Sequence, residues 1–255
     1  MKRLTAVMIV ALITLSLASC DFLDQLLSAN LFDAPLKLSA SDISAKSLDD
    51  LSRLSQSPDF YEAVWGDSAL MAAVEAKVTT GLGSGDPATA QQAAILGADL
   101  YIYGSGADGL INNVLAQYES LSSNPPDDSS EIEAFLNDLV PASLLANEAA
   151  FVAMINALVI ADGYFQDLGA SIGTDPYDYG GANAGEIAQN ALVAAFITVI
   201  APPASWTGVN PGGTLGEYLF DLLTIPATAA PTTYTPPDTS GGYLGNILSA
   251  AGIVF

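Results

Sequence analysis

Carboxylates are the only side chains that this 255-residue sequence offers in numbers for acid–base or ligand chemistry. It has 28 Asp and Glu, no histidine and one cysteine, Cys20. Two carboxyl groups facing each other across a cleft, one of them with a raised pKa, can hydrolyse a glycosidic bond. Asp99, Asp162 and Glu148 are the candidates, because each stands inside an apolar stretch. The bland alternative for each is a cap, a turn or a surface position, since nothing in the order of residues makes two of them meet. The absence of histidine excludes Ser-His-Asp and Cys-His catalysis and histidine-ligated zinc, iron or copper. No Gly-rich loop ends in Lys-Ser or Lys-Thr. Gly81-Leu82-Gly83-Ser84-Gly85 has neither the preceding strand nor the spacing of a nucleotide fingerprint, so it reads as a flexible helix connector. Catalysis is therefore not expected, and no catalytic residue is assigned.

One acidic loop has a recognisable spacing. Asp175, Gly180, Asn183 and Glu186 occupy positions 1, 6, 9 and 12 of a segment that leads into a helix. This resembles an EF-hand calcium loop. Tyr177 and Tyr179 stand at positions 3 and 5, where oxygen ligands belong. The alternative is a Tyr/Gly loop whose Asn183 caps the next helix, and no metal is assigned.

The N-terminal segment is more specific. Lys2 and Arg3 precede an uncharged apolar run, Leu4 to Leu17, too short for an ordinary membrane span and laid out like a secretory signal. It ends in Leu17-Ala18-Ser19-Cys20. This resembles the lipobox of bacterial lipoproteins, read by the lipoprotein signal peptidase. The resemblance implies that residues 1–19 are removed and that Cys20 carries the lipid, the only covalent cofactor expected. Two or three acyl chains anchor a protein stably where one does so marginally. The expectation is thus a protein of the cell envelope, lipid-anchored in the periplasm or at the outer surface. Asp21 resembles an inner-membrane retention signal of enteric bacteria, but sorting rules differ between groups, and which membrane stays open.

Removal of residues 1–19 would leave four cations, Lys37, Lys46, Arg53 and Lys77, against 28 acids. No Lys or Arg follows Lys77. Such a field repels nucleic acid and offers no cation to grip a phosphate in the last two thirds of the chain. Solubility in a saline or alkaline medium is one reading of this acidity; attraction of cations or of a basic partner is the other.

The elements that must position these residues are helical. Ser47 with Asp50, Ser57-Pro58, Asp67, Asp86-Pro87, Ser130 with Glu133 and Asn183 with Glu186 are helix starts. Apolar residues recur at helical spacing, as in Ala94, Leu96, Leu100 and Tyr103, and predict roughly eight to ten helices and no sheet. Gly81, Gly104, Gly163, Gly169 and Pro202 read as helix ends, and 122–129 and 169–181 as loops. The apolar runs from Ala149 to Ala161, interrupted at Asn156 and closed by Asp162, are expected to be buried and shorter than a membrane span.

Two internal echoes are present. Ala98-Asp99-Leu100-Tyr101 matches Ala161-Asp162-Gly163-Tyr164 at 63 positions, and Asn156-Ala157-Leu158-Val159 recurs as Asn190-Ala191-Leu192-Val193 at 34. The latter is the period of tetratricopeptide repeats. The chain resembles helical-repeat lipoproteins of the kind found in spirochaetes. The fold class is all-α, a helical bundle or stacked helical hairpins, with a tetratricopeptide-like solenoid as the alternative. The expected organisation is a signal peptide at 1–19, an anchor and tether at 20–45, a helical domain at 46–224, and a Pro/Thr-rich segment with an apolar tail at 225–255. The tail, Tyr243 to Phe255, is expected to pack back as a last helix or to dock on a partner.

These readings favour a non-enzymatic, membrane-anchored binding or scaffold protein for a protein partner or a small ligand. A face carrying Tyr101, Tyr103, Tyr164 or Trp206 is the expected binding surface. A carboxylate-dependent glycan hydrolase and a surface coat subunit are the alternatives.

Overall fold

A computed structural model describes residues 38–113, 142–172, 184–206, 213–225 and 237–253, with isolated positions within 134–140 and 228–231. Among them there is no strand, and ten helices follow one another. The first five are α1 (Ala40–Ala45), α2 (Leu48–Leu54), α3 (Pro58–Trp65), α4 (Ser68–Leu82) and α5 (Pro87–Ser105). Then come α6 (Ala142–Leu145), α7 (Glu148–Ile172), α8 (Ala184–Thr198), α9 (Leu215–Thr224) and α10 (Gly242–Ala250). The starts are set by side chains that satisfy otherwise unpaired first-turn amides. Ser47 and Asp50 form a reciprocal capping box on α2, and Asp67 accepts from the amides of Ala69 and Leu70 at 2.8 and 3.2 Å on α4. Asp86 accepts from Thr89 N at 3.0 Å on α5, whose next residue is Pro87. Two further boxes, Ser39 with Asp42 and Thr214 with Glu217, open α1 and α9. The pairs Ser130/Glu133 and Asn183/Glu186 lie wholly or partly outside the described residues, as do Cys20 and the loop at 122–129.

The helix α7 is the hub. It packs on α5 most extensively and also meets α6, α8, α9 and α10. Its 25 residues are long and apolar enough to cross a membrane, with a mean hydropathy of 1.4 over its best window, because the helix runs unbroken through Asn156 and Asp162. Continuity overrides the expected break because both polar side chains find partners in neighbouring helices. Eleven of its residues, from Phe151 to Ile172, are buried inside the protein, as in a core helix. The N-terminal helices lie against α5 and α4, with Ile43, Leu51, Phe60 and Val64 fully enclosed. Ile43 belongs to α1, which packs on α4, so the helical body already includes residues 40–45, which the sequence pattern assigns to the tether. The C-terminal tail folds back as α10 and buries Leu244, Ile247 and Leu248 against α7 and α8.

The glycines expected to end helices divide: Gly81 and Gly104 are next to last in α4 and α5, and Gly163 and Gly169 lie inside α7; α5 is capped by Gly106, where φ is +74°. A Cβ on Gly81 would come 2.6 Å from that of Ala93, one on Gly104 would strike the Trp65 ring at 2.6 Å, and one on Gly169 would meet the Tyr243 carbonyl oxygen at 2.5 Å. These positions let neighbouring segments touch at backbone distance. Each is a notch at a helix contact, a role that sequence alone does not distinguish from a stop.

Candidate functional site

Two side-chain pairs at helical i, i+4 spacing frame the main cleft. The first pair, Asp99 and Tyr103, projects from α5. Glu186 and Asn190, the second, stand on α8; Glu186 and Ile187 line the cleft, and Asn190 is buried behind Tyr103. From α3 comes Tyr61, held in place by the fully buried Phe60, whose ring meets it edge-on at 5.6 Å. The rings of Tyr61 and Tyr103 lie 5.1 Å apart, tilted by 38°. With α2 closing one side, the space measures about 1480 Å³ and is open to solvent.

The cleft is strongly negative. Six carboxylates, Asp49, Glu62, Asp86, Asp99, Asp108 and Glu186, line it with a single cation, Arg53, which is ion-paired with Asp50. The hydroxyl of Tyr103 donates to Glu186 Oε1. Asp99 has no hydrogen-bond donor among the described residues; it is half-buried, and the walls around it screen it from bulk water. Burial, and then the carboxylate of Glu186, push its pKa up to about 7. The Tyr61 and Tyr103 hydroxyls are raised above the usual phenol range, chiefly by burial, with Asp99 contributing to both. Asn190 is 5% exposed, and its amide lies against the Tyr103 hydroxyl. Among the described residues its Nδ2 does not reach hydrogen-bonding geometry with any acceptor.

The three carboxylates singled out by sequence go to different places. Asp162 is 4% exposed and saturated: Tyr243 Oη donates to Oδ1 at 2.5 Å, and Gln166 Nε2 and Thr198 Oγ1 donate to Oδ2 at 3.0 and 3.2 Å. It is a clamp between α7, α8 and α10. Glu148 is exposed at the start of α7, beside a shallow hollow shared with Glu217. Only Asp99 is in the cleft, and its acidic neighbour there is Glu186. Of the calcium-loop residues, Asp175 and Asn183 lie outside the described residues, and Glu186 accepts from Tyr103. Among the described residues no cluster of three or more acidic or sulfur ligands could hold a metal ion.

Of the four aromatic residues expected on a binding face, only Tyr103 lines the cleft. Tyr101 is buried, edge-on to Trp65 at 5.8 Å, with its hydroxyl donating to Glu75. Tyr164 covers Gly97, and the indole N–H of Trp206 donates to Asp221 at 3.1 Å. Sequence reasoning does not reach Tyr61 or Asn190. The signal available for Asn190 is its place one turn after Glu186 on an otherwise apolar helix face; Tyr61 carries none.

Chemically, the site combines a carboxyl that exchanges its proton near neutrality, a second carboxylate, two tyrosine faces and a buried amide donor. Such a set suits a positively charged organic ligand: the carboxylates attract it, and aromatic faces add a cation–π contribution of about 0.5–2 kcal/mol. No family model, curated protein or solved structure matches the chain.

Proposed function

We propose that this chain is an envelope lipoprotein, anchored through Cys20, whose helical body binds a small organic cation in the cleft between α2, α3, α5 and α8. The observation that carries the ligand class is Asp99: a half-buried carboxyl without a donor among the described residues, sharing the cleft with Glu186, Tyr61 and Tyr103. A protein that needed only solubility would leave its acids on the outer surface, where water solvates them at no cost. The reading of the body as a bundle is supported by α7, which five other helices touch; in a tetratricopeptide-like solenoid each unit meets only its neighbours. Isothermal titration with choline and with spermidine tests the ligand class. Binding of at least one with a Kd on the order of 1 mM or tighter is expected, and no heat from either over the whole pH range would remove the reading. Anchoring is tested by intact-mass spectrometry of the membrane fraction. The mature N-terminus should be Cys20 carrying acyl mass, and Cys20→Ser should accumulate as precursor; an unacylated wild-type N-terminus would overturn it.

A second reading, a carboxylate-dependent glycan hydrolase, is favoured by one specific observation. Asp99, with a pKa near 7, shares its cleft with Glu186, the kind of unequal pair that glycoside hydrolysis employs. In that case Asp99→Asn and Glu186→Gln would each abolish release of reducing sugar from envelope glycans. A wild-type protein that releases none from a broad glycan panel excludes it.

A further inference from the structure

We draw no further inference here: the strongest candidate, the outward apolar face of α7 around Val159, Ile160 and Gly163, is an unpartnered helix face, and nothing in the structure shows what covers it.

Discussion

Asp162 and Asp99 occupy matching positions of one sequence echo, and Asn156 and Asn190 matching positions of the other. In each pair one member is saturated and its counterpart is not. Asp162 receives three donors from Tyr243, Gln166 and Thr198. Asn156 donates to Thr214 Oγ1 at 3.1 Å and accepts from Gly216 N at 3.2 Å. Asp99 has no donor among the described residues and lines the cleft, whereas Asn190 Nδ2 has no acceptor in hydrogen-bonding geometry among them and lies against the Tyr103 hydroxyl. The difference is supplied largely by distant elements, Gln166 being the local exception. The saturated members face α9 and α10, which bring their own polar groups. On the cleft side, α3 brings a tyrosine that stacks on Tyr103 and leaves Asp99 alone. Near-identical local sequence thus makes a structural clamp in one place and an open polar site in the other.

The contrast is broken most severely at the clamp. Asp162→Ala removes a buried acceptor of two half-buried donors, Tyr243 and Thr198, and an exposed one, Gln166, and should destabilise the protein by about 3–5 kcal/mol. In calorimetry that corresponds to a Tm lower by roughly 10 °C for a chain of this size. A loss of only a degree or two would mean that α10 does not depend on the clamp.

At Asp99 the sign is opposite. Its pKa in the folded protein, about 7, lies above the ordinary 3.8. Between those values the unfolded chain gives up the proton while the folded chain keeps it, so stability is full below about pH 4, declines as pH rises towards 7 and then levels off. Asp99→Asn should remove that decline, gaining roughly 4 kcal/mol at pH 7.5 and close to nothing at pH 4. Thermal melts of both proteins at the two pH values check it. An equal offset at both would show that Asp99 is not held neutral by its surroundings.

The smallest effect sharpens the second pair. Asn156→Leu leaves the Gly216 amide without its acceptor while Thr214 keeps its bonds to Glu217, and should cost about 1 kcal/mol, whereas Asn190→Leu removes a donor with no acceptor among the described residues and should change stability by less than about 0.5 kcal/mol. Urea denaturation midpoints measure both. Equal losses would show that Asn190 is bonded as well as Asn156.

Much of the scaffold is legible in the sequence because its signals are local. Ser47, Asp67 and Asp86 cap helices within three residues of themselves, and an uncharged tail such as Tyr243 to Ile253 has few places to go but inward. The glycines mislead for a physical reason. Gly81 and Gly169 look alike to any rule about helix ends, and only the presence of Ala93 or Tyr243 alongside tells a notch from a stop. The site is half legible. Asp99, Tyr103 and Glu186 each stand out by type, but their meeting depends on α8 approaching the end of α5 across more than 80 residues of chain. Nothing near Tyr61 in sequence announces that it will share a cleft with an acid about forty positions later.

The place of Asp162 on α7 has a consequence for how the protein is made. On the proposed export route the chain is threaded unfolded through a translocation channel whose side opens to lipid, and any sufficiently greasy stretch can slip sideways and stay there. The 25 residues from Glu148 to Ile172 are long and apolar enough for that fate. An aspartate near the middle of such a stretch raises the cost of lateral insertion by about 2.5–3.5 kcal/mol. The side chain that later gathers Tyr243, Gln166 and Thr198 would therefore act first as a hindrance to stalling, keeping the segment moving across the membrane until folding hides it.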